Sequence, residues 1–333
     1  MIAWPEAWPR RVAVTGASGF LGSHLVPALR AEGLEVVAIS RRGGMRRGTE
    51  FLAVTDYLDT HRLQQAFSGS AVVVHLAARA HQRDGADAES AYNVANVRST
   101  GAVAVASRAA GVKRVVHLSS IGVNGNRSSD RPFSEEDIPA PAEPYARSKL
   151  EGERLVIDRL SNGPTDFVIL RPPLVYGSGC PGNFRELLSL VANAPFVPLG
   201  SLRAPRRFIH VANLVDAILV AATHRNVSRR VYLLGDSRDV SVAEIVRTAA
   251  TAMGRNPHAI WNVPPPILAL LAKLAGKGGA YERLSAPLQL DSSAFCRQTG
   301  WLPSVDPRQG IVESTVGIAG TRRSNPLTTT SLK

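Results

Sequence analysis

The sequence predicts an α/β protein, a doubly wound parallel sheet followed by a smaller C-terminal α/β lobe. Three observations predict it. Short, nearly continuous Val/Ile/Leu runs alternate with longer helical stretches up to about residue 170, the pattern of parallel strands covered on both faces by crossover helices. The first run feeds a glycine-rich turn and then a helix, the usual opening of a βαβ unit. Beyond Pro172 the alternation stops, and prolines and glycines thicken.

Taken in order, the strands are expected at Val12–Thr15, Glu35–Ser40, Phe51–Thr55, Val72–Leu76, Val115–Ser119 and Phe167–Leu170. Helices are expected after the glycine turn through Arg30, over Ala91–Ala110 and over Tyr145–Leu160. The later segment carries proline-rich stretches at Pro172–Pro181, Pro195–Pro205 and Pro264–Pro266, with single strands such as Val231–Leu234. Its run Ile267–Ala275 reads as a buried helix of the second lobe. The division is therefore 11–172 for the sheet domain, 173–320 for the lobe, and 321–333 for a polar, aperiodic tail expected to be disordered.

Composition excludes several function classes. Cys180 and Cys296 are the only cysteines among 333 residues and have no ligand spacing, so neither a disulfide framework nor a metal site is expected, and a reducing compartment is. The N-terminus has no signal-peptide core, and no apolar run approaches the ~20 residues that span a bilayer. A cytoplasmic protein with no integral membrane segment is the expectation. The net charge of +12 comes mainly from arginine, since only five of 39 basic residues are lysine. Without aromatic–basic interleaving it does not point to nucleic acid. It reads first as a solvated surface with an arginine bias, with diphosphate substrates or an anionic membrane surface as the alternative partners.

Strand, turn and helix place Thr15-Gly16-Ala17-Ser18-Gly19-Phe20-Leu21-Gly22 as a dinucleotide-binding loop. Gly16 allows the tight turn, Gly19 lets the backbone approach a pyrophosphate, and Gly22 lets helix and strand pack closely. The helix N-terminus presents free amides and a positive dipole to the phosphates. The second strand ends Ser40-Arg41-Arg42, with no carboxylate to accept from the ribose hydroxyls. Guanidinium groups there suit a 2′-phosphate, so NADP(H) is favoured over NAD(H).

Tyr145 and Lys149 stand four apart on a helix opened by Pro144 and project from one face. A phenol near pKa ~10 is a poor acid or base at neutral pH until a cation stabilises its phenolate. Lys149 is placed to supply that cation. Ser120, at the carboxyl edge of the sheet, can polarise a carbonyl while tyrosine moves the proton and hydride passes to or from a nicotinamide.

These residues resemble the extended short-chain dehydrogenase/reductase family, of the epimerase/dehydratase type, over most of the chain. The matching pieces are the turn 15–22, His75-Leu-Ala-Ala78, Asn96-Val97, Ser119-Ser120, Tyr145-x-x-x-Lys149 and Arg171-Pro-Pro-Leu-Val-Tyr-Gly177. The resemblance implies a Rossmann fold and places Asp56 near the adenine. It makes Leu76, Ala77, Ala78, Asn96 and Pro172 cofactor contacts. It also implies a UDP-sugar substrate, met by His81, Asn183, Arg206 and Arg283, and a homodimer formed through the helices Ala91–Ala110 and Tyr145–Leu160.

One departure narrows the reaction. Sugar-nucleotide dehydratases of this pattern carry Asp and Glu directly after the catalytic hydroxyl residue, where this chain has Ile121 and Gly122. Neither can transfer a proton, which leaves redox at a single carbon. His75–His81, Ser119–Gly125 and Val263–Leu274 resemble a bacterial polysaccharide-biosynthesis branch of UDP-sugar 4-epimerases and 4-ketoreductases. The leading expectation is an NADPH-dependent reductase at carbon 4 of a UDP-4-keto-6-deoxy-N-acetylhexosamine. The rival is an NAD-dependent 4-epimerase acting on a UDP-sugar or on an undecaprenyl-diphosphate-linked sugar. A non-enzymatic NADP-binding regulator is disfavoured, because Ser120, Tyr145 and Lys149 are all present.

Overall fold

A computed structural model describes residues 4–46, 49–80 and 88–318. Its first half alternates as the sequence predicts: β1 (Arg11–Thr15), α1 (Phe20–Ala31), β2 (Glu35–Ser40), β3 (Gly44–Arg46), β4 (Thr49–Ala53), α2 (Thr60–Phe67) and β5 (Val72–His75). Next come α3 (Ala88–Tyr92), a π-helical turn at Asn93–Arg98, α4 (Ser99–Ala109), β6 (Arg114–Leu118), α5 (Pro144–Leu160) and β7 (Asp166–Arg171). The helix expected over Ala91–Ala110 is thus interrupted by a π-turn, a local widening often found at functional sites.

The remaining elements are β8 (Val175–Tyr176), α6 (Asn183–Asn193), β9 (Ile209–His210), α7 (Val211–Thr223), β10 (Arg230–Leu233), α8 (Val242–Ala252), α9 (Pro265–Leu274), α10 (Gly278–Ser285), α11 (Ser293–Thr299) and α12 (Pro307–Ser314). Eight strands form one sheet in the order β10-β7-β6-β5-β1-β2-β4-β3. All pairings are parallel except β3 with β4. Strand order reverses on either side of β1, between β2 and β5. In an open parallel sheet, that reversal opens a crevice at the carboxyl ends of the strands.

Compactness divides the chain into two units. The first holds Met1–Val175, Ala204–Val240 and Ala286–Pro307; the second holds Tyr176–Arg203, Ser241–Ser285 and Arg308–Lys333. The units interleave along the sequence rather than parting at residue 172. Strand β10, expected in the lobe, extends the main sheet by pairing with β7.

Burial explains the first unit's layers. Leu21, Leu25 and Leu29 of α1 join Leu214, Ile218 and Ala221 of α7 against one face of the sheet. Leu63 and Phe67 of α2, Val103 of α4 and Val156 and Leu160 of α5 cover the other face. In the second unit α6 packs on α8, with Leu188, Val191, Ile245 and Val246 buried. Among the described residues no helix is long and apolar enough to cross a membrane.

Candidate active site

The cofactor cleft is built where β1 ends. Gly16 has φ +69°, and a Cβ there would lie 2.6 Å from the Ala77 amide nitrogen. A Cβ on Gly22 would lie 2.6 Å from Ala17 Cα. Only glycine lets the turn close on the segment after β5 and lets α1 press on the turn at Ala17. No side chain caps the N-terminus of α1, so its first amides, at Phe20, Leu21 and Gly22, are left for a phosphate.

A cleft of about 670 Å³ opens in front of this turn, lined by Gly16, Ser18 and Gly19 on one side. Ser40, Arg41 and the segment Thr55–Leu58, with Asp56, form a second wall; Leu76, Ala77, Ala78, Arg79, Val94, Ala95 and Ser99 form a third. A crevice of this size, with a glycine cradle and free helix amides, fits a dinucleotide. Arg41 lines it, whereas Arg42 is not among the lining residues and its carbonyl accepts from the Ser40 hydroxyl.

Asn96 contributes indirectly. Its Oδ1 accepts from the Arg79 amide at 2.7 Å, and its Nδ2 donates to the Arg79 carbonyl at 3.1 Å and to Ser148 Oγ at 2.9 Å. The buried amide therefore pins the loop after β5 to α5, while Val94 and Ala95 of the same turn and Ser99 at the start of α4 line the cleft. Sequence reasoning missed Tyr57, whose hydroxyl accepts weakly from the Gly16 amide at 3.4 Å and lines the cleft. Its phenol is pushed up by burial.

The residues expected to be catalytic are set by β6 and α5. Ser120 follows the strand in extended conformation, φ −155° and ψ 147°. The Ile121 amide donates to the Pro172 carbonyl at 2.9 Å, tying this loop to the end of β7. Ser120 Oγ accepts from the Gly122 amide at 3.2 Å, which leaves its own O–H to donate to a substrate oxygen.

Pro144 starts α5, where its missing N–H costs nothing, and carries Tyr145 and Lys149 on successive turns. Burial pushes the Tyr145 phenol up to about 12, and Tyr92 adds to the effect with its ring centroid 6.0 Å away. Burial brings Lys149 down to about 8, opposed by the nearby charge of Glu153. The sequence reading has the ammonium holding the phenol down; in this structure burial raises it instead. At neutral pH the pair is a neutral phenol and a mostly charged amine.

Beneath them lies a buried polar chain. Arg171 Nε and Nη2 reach Glu153 Oε1 and Oε2 at 2.9 and 2.6 Å, and Nη1 donates to Asn124 Oδ1 at 2.9 Å. The Ser119 hydroxyl donates to the same Glu153 carboxylate. A bidentate guanidinium–carboxylate pair has strict geometry, so it fixes α5 to β7 and to the residue beside Ser120. Two stacked histidines, His75 and His117, lie 5.3 Å apart in the sheet. His75 bonds Thr15 Oγ1 at 2.7 Å and Thr100 Oγ1 at 3.1 Å. Burial, and then the charge of Lys149, depress both imidazoles, His75 to about 3.

The comparisons with known proteins agree with this geometry. Residues 12–235 match the NAD dependent epimerase/dehydratase family. The chain belongs to that family. It is an NAD-dependent oxidoreductase or epimerase of the extended short-chain dehydrogenase/reductase type. A UDP-glucose 4-epimerase of Vibrio cholerae is 34% identical over 313 residues, covering 92% of this chain and 94% of the relative. An N-acetyl-alpha-D-glucosaminyl-diphospho-ditrans,octacis-undecaprenol 4-epimerase of Escherichia coli O157:H7 is 26% identical over 90% of this chain and 92% of its own. Among solved structures, MoeE5 in complex with UDP-glucose and NAD superposes with a TM-score of 0.75, at 29% identity over 92% of this chain and 97% of that one.

The residues expected to meet substrate are divided between the two units. Asn183 is an exposed first residue of α6, following Gly182 at φ 72°. Arg283 is exposed on α10, in the same unit. Arg206 belongs to the other unit, where its Nη1 donates to the Ala286 carbonyl and burial brings its guanidinium down to about 10. His81 and the tail 321–333 lie outside the described residues.

Proposed function

We propose that the chain epimerises carbon 4 of a UDP-linked hexose by oxidising and re-reducing that one carbon. The observation that carries this reading is the neighbourhood of Ser120. Its next residues, Ile121 and Gly122, hold no acid or base, so Ser120, Tyr145 and Lys149 serve a single proton and a single carbon. The relative from Vibrio cholerae and the UDP-glucose complex of MoeE5 support the substrate class.

A nicotinamide dinucleotide held by the glycine turn and the cleft would supply the hydride acceptor and donor. Tyr145 would first have to lose its phenol proton to solvent; as the phenolate it would take the proton of the 4-hydroxyl while the carbon is oxidised, and return it as the carbon is reduced from the opposite face. Lys149 would keep a positive charge beside that phenolate, which is present before the oxidation and re-forms on the reduction, and Ser120 would donate to the reacting oxygen in both directions. Asn183, Arg206 and Arg283 are proposed to hold the diphosphate, for which guanidinium groups are suited. Val105 on α4 and Ile157 on α5 are 43% and 39% exposed, which supports the homodimer proposed through these helices.

Arg41 favours a second reading. With arginine at the cleft and no carboxylate ending β2, NADP(H) fits, and with it the 4-ketoreductase acting on a UDP-4-keto-6-deoxy-N-acetylhexosamine. Purified protein incubated with UDP-glucose or UDP-N-acetylglucosamine decides between them. The proposal expects the carbon-4 epimer by proton NMR without net change in cofactor. Stoichiometric NADPH consumption with the 4-keto sugar, and no epimer, would establish the reductase instead. Turnover only with the sugar on undecaprenyl diphosphate would move the site to the lipid-linked substrate.

A further inference from the structure

Helix α9 is turned inside out. Its apolar residues Ile267, Leu270, Leu271 and Leu274 recur at i, i+3, i+4 and i+7 and so share one face. A globular protein turns such a stripe toward its core. Here these side chains are 52%, 58%, 53% and 76% exposed, and only Leu268 of the helix is buried. The buried helix expected from the sequence is thus a surface helix with its hydrocarbon outward.

Two further features belong to the same unit as this stripe. Phe196 and Trp261 stack with centroids 4.7 Å apart and planes 17° apart, and both are about half exposed. The bridge between Val197 and Ile260 holds them side by side, and Trp261 precedes Pro264, the residue capping α9, by three positions. From Trp261 to Ser285 the chain carries Lys273, Lys277 and Arg283 against one acid, Glu282.

We propose that α9, with the Trp261–Phe196 pair at its entry, lies on the surface of an anionic phospholipid bilayer. An interfacial helix needs an apolar face one side chain deep and a cationic rim. Tryptophan settles at the headgroup level, and lysine stems lie along hydrocarbon while their ammonium groups reach the phosphates. At ten residues the helix is too short to span a bilayer but long enough to lie on one. Charge decides for lipid over a second copy of the chain. Two such faces would oppose their cationic rims in a protein of net charge +12, whereas an anionic surface neutralises them.

Flotation of the full-length protein with phosphatidylcholine vesicles, with and without phosphatidylglycerol, tests this. The wild type is expected to float with the mixed vesicles, with a blue shift of tryptophan emission, and to be released by salt. The pair Leu270→Gln and Leu274→Gln should lower binding at least about tenfold with an unchanged melting curve. Lys273→Glu with Lys277→Glu should lower it as well. The proposal fails if the wild type does not bind mixed vesicles. It fails equally if the leucine variant binds as well as wild type, since net charge alone would then explain attraction. Self-association of the wild type that the leucine pair disperses would assign the face to a second copy instead.

Discussion

Helices α5 and α9 each break the rule that apolar side chains face in and charges face out, and they break it in opposite directions. Helix α5 buries Ser148, Lys149 and Glu153, while α9 exposes Ile267, Leu270, Leu271 and Leu274. A buried ammonium is costly, and α5 tolerates it because Glu153 stands one turn away and is itself held by Arg171. Among the described residues of its unit, no comparable compensation acts on α9. The difference separates chemistry done inside the fold from a contact still to be made outside it.

The largest effects are expected on α5. Tyr145→Phe removes the proton carrier without altering the cleft, so kcat should fall by about 10²–10⁴-fold with nearly unchanged cofactor affinity; turnover like wild type would sink the assignment. Arg171→Met leaves the Glu153 carboxylate buried without its partner. Denaturation should show a loss of about 3–5 kcal/mol, against less than about 0.5 kcal/mol for Leu270→Gln on the exposed stripe. Similar losses at both positions would erase the contrast between the helices.

A smaller effect is expected at the cleft's far wall. Arg41→Ala should weaken NADPH about tenfold more than NADH, the worth of one charged hydrogen bond, as read by isothermal titration. Equal loss for both would show that Arg41 does not read a 2′-phosphate. The smallest effect concerns pH. Lys149 titrates near 8 when folded and about 10.4 when unfolded, so the unfolded chain binds more protons between those values. Stability from this group is lowest below pH 8 and recovers as pH rises toward 10.4. Lys149→Met should therefore gain melting temperature at neutral pH and lose that advantage in alkali; a constant difference across this range would contradict the burial of the charge.

Much of this was legible in the sequence because the signals are local. The glycine turn, the four-residue spacing of Tyr145 and Lys149, and the bounds of β2 each follow from a few adjacent residues. What stayed hidden depends on residues far apart in the chain. Glu153 and Asn124 meet Arg171 across 18 and 47 positions, and Arg171 looks like part of a strand ending. Tyr57 lies in a loop that carries no period. Strand β10 reads as an isolated apolar run until it pairs with β7. The pattern of α9 gives its period correctly, yet periodicity cannot say which side of a helix faces the core.

The central claim is hydride transfer at one carbon, with Tyr145 moving the accompanying proton. Its most direct test is UDP-glucose deuterated at carbon 4, incubated with the enzyme in ordinary water and analysed by mass spectrometry and NMR. The expected epimer keeps its deuterium at carbon 4, and Tyr145→Phe forms it about 10²–10⁴-fold more slowly. An epimer whose carbon 4 had exchanged with solvent would contradict the claim, because the hydrogen would then have left as a proton.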